Sequence, residues 1–138
     1  SGMKIRFSHC CTPLPGDKII GYVSRNRGVM IHRADCPNVK GLEQERLIEA
    51  QWPETSNEKF VASLEVFGRD RIGILIDVAS LISNMKIAIT NISGKKERDG
   101  MCLISVSVEV SDTDMLDSLI QKLHNVKGVE EVSRAKNG

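Results

Sequence analysis

Phe60-Val61-Ala62-Ser63-Leu64-Glu65-Val66-Phe67, closed by Gly68-Arg69-Asp70-Arg71 and followed by Ile72 to Met85, is the stretch that decides the fold. Its first run is rich in β-branched and aromatic side chains and reads as a strand. Beyond the glycine-containing turn the apolar positions are Ile72, Leu75, Ile76, Val78, Ala79 and Ile82, three- and four-residue steps that make the stripe of an amphipathic helix. Ile87, Ile89 and Ile92 then open a second strand that continues through Lys95-Lys96-Glu97. Asp99-Gly100 is a strong hairpin signal, and Leu103, Val106, Val108 and Val110 mark a third strand over Met101 to Val110. Asp112 suits the N-cap of a second helix, with Met115, Leu116, Leu119, Ile120 and Leu123 as its buried stripe. Val129-Glu130-Glu131-Val132 begins a fourth strand. The order βαββαβ predicts an antiparallel four-stranded sheet with both helices on one face.

Upstream of this unit, Pro53-Glu54-Thr55-Ser56-Asn57-Glu58 is polar and contains a proline, so it reads as a linker. The expected domains are residues 1–54 and 55–138. In the first, Ile19-Ile20-Gly21-Tyr22-Val23 and Val29-Met30-Ile31 flank Ser24-Arg25-Asn26-Arg27-Gly28, the pattern of a hairpin. Thr12-Pro13-Leu14-Pro15-Gly16-Asp17 is a rigid turn. Asp35 to Leu42 suits a short helix with Asp35 as N-cap and Pro37 in the first turn. Leu47 to Trp52 alternates weakly as a third strand. A half of this size has little core and gains from a staple. The whole is expected to be α+β, a small β-rich module followed by a ferredoxin-like βαββαβ unit.

The chain has 138 residues and a formal net charge of +1, with 41% hydrophobic and 27% charged residues. That composition argues against disorder, and the balance argues against a globally basic nucleic-acid coat. Divided at the linker, the charge is uneven. Lys4, Arg6, Lys18, Arg25, Arg27 and Arg33 face only Asp17 in the first 34 residues, a local +5. No apolar run approaches the roughly 18 to 20 residues of a membrane span. Ser1-Gly2-Met3 has no basic region followed by an apolar stretch, so no signal peptide is expected, and Ser1-Gly2 ahead of Met3 reads as the remnant of a removed tag. The cysteines Cys10, Cys11, Cys36 and Cys102 do not form a secreted disulfide pattern. A reducing cytoplasm is the expected setting.

Cys10, Cys11, His32 and Cys36 are the sharpest constellation. Three thiolates and an imidazole are a structural zinc set, in the half that most needs one. The four-residue step from His32 to Cys36 would place both on one side of a helical turn. Adjacent side chains in a strand point to opposite faces, so a loop must bring Cys10 and Cys11 to one ion. His9 is an alternative donor, and buried thiols beside a surface histidine are the alternative reading. Lys18, Arg25, Arg27 and Arg33 are candidate phosphate contacts on structured RNA, with a solvated charged face as the alternative. Tyr22 is the only aromatic expected near them. Asp70, Arg71, Ile72 and Gly73 lie where a strand hands over to a helix, whose free N–H groups can hold a carboxylate. Asn91 can offer an amide to the same ligand. The alternatives there are a capped helix and a polar residue near a turn. The chain contains no P-loop, G-x-S-x-G, H-E-x-x-H or G-x-G-x-x-G sequence, so no catalytic residues are expected.

Cys10-Cys11-Thr12-Pro13-Leu14-Pro15-Gly16-Asp17, then Ile20-Gly21-Tyr22, Arg27-Gly28-Val29 and Ile31-His32-Arg33-Ala34-Asp35-Cys36-Pro37-Asn38, resemble the zinc-finger-like module of RelA/SpoT-type enzymes. Those enzymes make and hydrolyse the alarmone (p)ppGpp. Gly68-Arg69-Asp70-Arg71-Ile72-Gly73-Ile74-Leu75 and the βαββαβ order resemble the ACT domain that closes the same proteins. The resemblance covers residues 4 to 135 in the family's domain order. It implies that the synthetase and hydrolase domains lie upstream, so this part of a GTP pyrophosphokinase is not itself an enzyme. It implies a zinc-finger signature at Cys10, Cys11, His32 and Cys36, and contact with the ribosome and its RNA through Lys18, Arg25, Arg27 and Arg33. It also implies a homodimer through the ACT domain and an amino-acid site at Asp70 to Gly73 and Asn91. Ile72 stands where many amino-acid-binding ACT domains have proline. The expected role is a regulatory region that senses ribosome state, and amino acids, for the catalytic domains. The alternative is a free-standing amino-acid-binding regulator without RNA contact.

Overall fold

A computed structural model of the protein describes residues 4–25, 28–54 and 57–135. The chain forms two compact units, one ending at Asn57 and the other spanning Glu58–Ala135. Together they make an α+β protein with two four-stranded sheets.

In the first unit the strands are β1 (Ile5–Phe7), β2 (Ile19–Ser24), β3 (Gly28–Arg33) and β4 (Leu47–Glu49), in the order β1-β3-β2-β4. β2 and β3 form the expected antiparallel hairpin, in register from Ile19↔Arg33 to Ser24↔Gly28. β1 pairs in parallel with β3, Ile5 opposite Val29. Ile5-Arg6-Phe7 is too short to carry a period-two pattern of its own, so only tertiary pairing defines β1. β4 is shorter than the alternation of Leu47 to Trp52 suggests. The chain leaves the sheet after Glu49, and Trp52 donates its indole N–H to the Asp17 carbonyl at 3.0 Å and stacks on Phe7 at 5.5 Å.

The short helix expected over Asp35 to Leu42 is a 3-10 helix, Pro37–Gly41, with Cys36 at the N-cap position. Pro37 disfavours helical backbone at the residue before it, and Cys36 is accordingly extended (φ −65°, ψ 126°). Asp35 therefore lies outside the helix and takes the Arg33 guanidinium at 2.8 Å. Among the described residues, the buried apolar side chains of this unit are Cys11, Pro13, Leu14, Val29, Ile31 and Cys36. That is a thin core, and two of its members are thiols.

The second unit has β5 (Phe60–Arg69), α1 (Ile74–Asn84), β6 (Ala88–Lys96), β7 (Met101–Val110), α2 (Thr113–Leu123) and β8 (Val129–Arg134), with sheet order β6-β7-β5-β8. All neighbours are antiparallel. Ala62, Leu64 and Val66 of β5 and Ile104, Val106 and Val108 of β7 are buried, together with Val78 and Ile82 of α1 and Leu116, Leu119 and Leu123 of α2. The helices cover that face of the sheet. The turn between β6 and β7 carries positive φ at Asp99 (60°) and Gly100 (72°), as an Asp-Gly hairpin requires. Asp112 caps α2, its Oδ1 accepting from the Met115 N–H at 2.8 Å.

Two glycines shape this unit. A Cβ on Gly68 would lie 2.4 Å from the Gly128 carbonyl oxygen, where the β5–β8 register shifts. Gly73 takes φ 89° and starts α1 two residues later than the apolar spacing indicates. Ile72 consequently precedes the helix and is fully exposed, and the buried face of α1 is Ile74, Val78 and Ile82. Leu75 and Ile76, expected in the stripe, are exposed. Among the described residues no helix is long and apolar enough to cross a membrane.

Candidate metal centre and ligand cleft

The donor atoms of Cys10, Cys11, His32 and Cys36 all lie within 4.8 Å of one another. A tight turn solves the problem of adjacent cysteines. The Thr12 N–H bonds the Ser8 carbonyl at 3.0 Å, and Thr12 itself is left-handed (φ 42°). That turn sends both sulfurs to one side. His32 comes from the end of β3, and Cys36 from the extended residue before Pro37. A strand and a turn therefore join them, not the helical turn their spacing suggested. His9 is exposed and outside the cluster.

The separations suit a tetrahedral ion. Cys10 Sγ is 3.5 Å from Cys36 Sγ, 3.9 Å from Cys11 Sγ and 3.6 Å from His32 Nδ1, and Cys11 Sγ is 3.8 Å from His32 Nδ1. A tetrahedron with Zn–S of about 2.3 Å and Zn–N of about 2.0 Å has edges of about 3.8 Å between sulfurs and about 3.5 Å from sulfur to nitrogen. All four cysteines of the chain are free thiols. The donor set fits zinc in kind, number and spacing.

Surrounding groups orient these donors. The Ser8 hydroxyl lies 2.9 Å from Cys10 Sγ, Asn38 also hydrogen-bonds Cys10, and the Arg33 N–H donates to Cys11 Sγ at 3.3 Å. Burial opposes ionisation of Cys10, yet its hydrogen bonds with Ser8, Asn38, Cys36 and Cys11 outweigh that and lower its pKa. Burial pushes the Cys11 thiol up to about 12, with Cys36 and Cys10 adding to the rise and the Arg33 amide opposing it. Burial also lowers the pKa of His32 and keeps its imidazole neutral, the form that binds metal. Sequence reasoning found all four donors but neither Ser8 nor Asn38. Their only signal is nearness in sequence to a ligand.

The basic candidates are placed unequally. Lys18 is exposed. The Arg25 side chain is 76% exposed, with Glu43 at 3.8 Å. Arg33 is only 23% exposed and is held by Asp35 at 2.8 Å. Arg27 lies outside the described residues. Tyr22 lies under Arg46, whose guanidinium carbon is 5.8 Å from the ring centre.

In the second unit a cleft of about 370 Å³ is lined by Asp70, Arg71, Gly73, Ile74, Leu75 and Ile76 from the β5–α1 junction, facing Gly94, Lys95, Lys96, Cys102 and Ile104. It gathers Asp70, Arg71 and Gly73, whereas Ile72 and Asn91 are exposed and absent from its lining. Arg71 is tied to Asp77 at 2.7 Å and to the Lys127 carbonyl at 2.9 Å. Lys95 and Lys96 were missed as lining residues because only the strand pairing carries the end of β6 to this place.

Comparison with known proteins gives a consistent match along the chain. The ACT domain family matches residues 56–134, and the RelA/SpoT RIS domain matches residues 1–53. The chain is 35% identical over 132 residues to a GTP pyrophosphokinase of Streptomyces coelicolor, which covers 94% of this chain and 16% of that protein. It is 35% identical over 135 residues to the bifunctional (p)ppGpp synthase/hydrolase RelA of Mycobacterium tuberculosis, covering 96% of this chain and 18% of that one. The chain thus spans less than a fifth of the curated relatives it matches. Among solved structures, the ACT domain from the GTP pyrophosphokinase of Chlorobium tepidum aligns with a TM-score of 0.51 at 30% identity, over 58% of this chain and 90% of that one.

Proposed function

This chain belongs to the ACT domain family and carries a RelA/SpoT RIS domain before its ACT domain, and from that membership we propose that it is the regulatory region of a (p)ppGpp synthetase/hydrolase, without catalysis of its own. The observation that carries this reading is the likeness to GTP pyrophosphokinases, continuous over 94% of the chain and across the boundary between its two units. The catalytic domains belong to the remainder of such a protein.

Cys10, Cys11, His32 and Cys36 hold a structural zinc. When bound, the ion supplies positive charge that keeps the thiols ionised and a four-way link in place of a large core. Support comes from the donor distances and from the few apolar residues this unit buries. Lys18 and Arg25 are the best-presented phosphate contacts for ribosomal RNA, with Arg27 beside them in sequence. Arg33, held by Asp35, serves the fold of the turn more than the RNA.

In the ACT unit the cleft takes a small aliphatic amino acid. Ile74, Leu75, Cys102 and Ile104 supply an apolar floor, Asp70 an acceptor for the ammonium, and the Leu75 and Ile76 N–H groups in the first turn of α1 donors for the carboxylate. Asn91 and Ile72, outside the cleft of one chain, remain positions for contact with a ligand held by a second copy. The edge strand β6 and the exposed Leu75 and Ile76 suit pairing of two copies. A ligand acts on the catalytic domains by binding one arrangement of the pair better than another.

Ribosome co-sedimentation across a salt series tests the RNA part. Binding should fall steeply with salt, and Lys18→Glu with Arg25→Glu should weaken it. Binding indifferent to these reversals contradicts the role assigned to them. Calorimetric titration with branched-chain amino acids tests the cleft, where Asp70→Asn should abolish the heat. Heat that survives the substitution removes Asp70 from the site.

A further inference from the structure

We propose that Cys10 and Cys36 form an oxidation site, at which a hydroperoxide converts the two thiolates to a disulfide and releases the metal. The inference rests on the zinc reading for its second half alone, because the pairing of the two sulfurs is a matter of their own positions.

Three observations choose this pair. Cys10 is the one cysteine of the cluster that is not buried, whereas Cys11 and Cys36 are, so an oxidant from solvent meets Cys10 first. Cys36 Sγ is 3.5 Å from it, nearer than Cys11 Sγ at 3.9 Å. A bond to Cys11 would also close a strained ring between adjacent residues, while Cys36 belongs to a separate turn. Closing the gap to the roughly 2.05 Å of a disulfide asks for a shift of about 1.5 Å shared by two turns. The Ser8 hydroxyl, 2.9 Å from Cys10 Sγ, stands beside the attacking sulfur and can hand a proton to the departing oxygen.

The chemistry balances with hydrogen peroxide as the oxidant. Cys10 Sγ attacks one peroxide oxygen, the S–O bond forms, the O–O bond breaks, and the hydroxide that leaves takes a proton to become water. The sulfenic acid on Cys10 is then attacked by Cys36 Sγ. The S–S bond forms, the S–O bond breaks, and a second hydroxide leaves as water after taking another proton. Two thiolates, one peroxide and two protons give one disulfide and two waters. Zinc has no redox chemistry of its own, so both electrons come from sulfur. Cys11 and His32 are then the only donors left, too few for a structural site. The first unit exchanges a four-point metal link for a single covalent one between Cys10 and Cys36, which makes its state dependent on peroxide.

The test uses the intact, reduced chain. Its zinc content is measured first. Hydrogen peroxide is then added, free thiols are alkylated, and the disulfide-linked peptides are mapped by mass spectrometry while released zinc is followed with a chromogenic chelator. The expected result is the loss of two of the four free thiols, a single Cys10–Cys36 link, zinc release in step with it, and reversal by dithiothreitol with added zinc. A Cys102→Ser chain should give the same map, as should Cys11→Ser if it folds. A link involving Cys11, direct passage of Cys10 to sulfinic acid, or thiols that survive excess peroxide would overturn the proposal. A chain that carries no zinc at the outset but still forms the Cys10–Cys36 link contradicts the zinc reading and supports the pair. A zinc-loaded chain that forms no link does the reverse.

Discussion

At the scale of single residues the proposed metal centre depends on groups outside its four donors. Thr12 holds a left-handed backbone that costs a non-glycine residue on the order of 1 kcal/mol, and the turn it closes is what brings Cys10 and Cys11 to one point. Ser8 does its part through the hydroxyl on Cys10 Sγ. Ser8→Ala should lower zinc affinity about 10- to 100-fold, as loss of an outer partner does elsewhere, measured by competition with a chelator. Unchanged affinity would show that the hydroxyl does not orient the sulfur. Acidity makes a second test. Without metal, folded His32 stays neutral while the unfolded imidazole takes a proton near 6.5, so stability falls as pH drops below that value. Cys10, whose folded pKa is lowered, adds stability as pH rises towards 9.0. Above 9.0 the unfolded Cys11 ionises while the folded thiol keeps its proton to about 12, so stability falls again. Melting of the chelator-treated first unit should therefore peak between about 6.5 and 9, and a monotonic curve would contradict these environments.

At the scale of elements, local chemistry sets where each helix begins. Asp112 caps α2 with a measurable bond to Met115, and Asp112→Ala should cost about 1 kcal/mol in thermal unfolding of the ACT unit. Gly68→Ala should cost more, about 1–3 kcal/mol, because a Cβ meets the Gly128 carbonyl and the β5–β8 pairing must move. Equal stability of the Gly68 variant would mean that the two strands are not so close. These elements were legible in the sequence because period-two and period-3.6 patterns, an Asp cap and an Asp-Gly turn act within a few residues. The start of α1 was less so. Its apolar side chains run straight through Ile72, and it is the left-handed backbone of Gly73 that ends one pattern and begins the other. β1 and the outward turn of Leu75 and Ile76 were invisible, since both depend on which distant segment lies alongside. The four donors could be read from residue type, but the turn that unites Cys10 and Cys11 could not, because a left-handed threonine has no sequence signature.

On the scale of the whole molecule, the near-neutral charge of the chain conceals two units with different means of support. The ACT unit has a full helix-on-sheet core, and the RIS unit has a thin one centred on thiols. Removing zinc with a chelator should thus lower the melting temperature of the first unit and leave that of the second unchanged, seen as selective loss of dispersed amide signals from residues before Asn57 on mild heating. Simultaneous loss from both units would contradict this division. The larger claim is that the pair regulates catalytic domains elsewhere in the same protein. Its most direct test is the rate of (p)ppGpp synthesis and hydrolysis by the complete parent enzyme, with and without this region, each assayed in the absence and presence of ribosomes. The expected result is an enzyme that still synthesises and hydrolyses (p)ppGpp when the region is removed but no longer changes its balance with ribosomes. A truncated enzyme that responds to ribosomes as the complete one does would contradict the account.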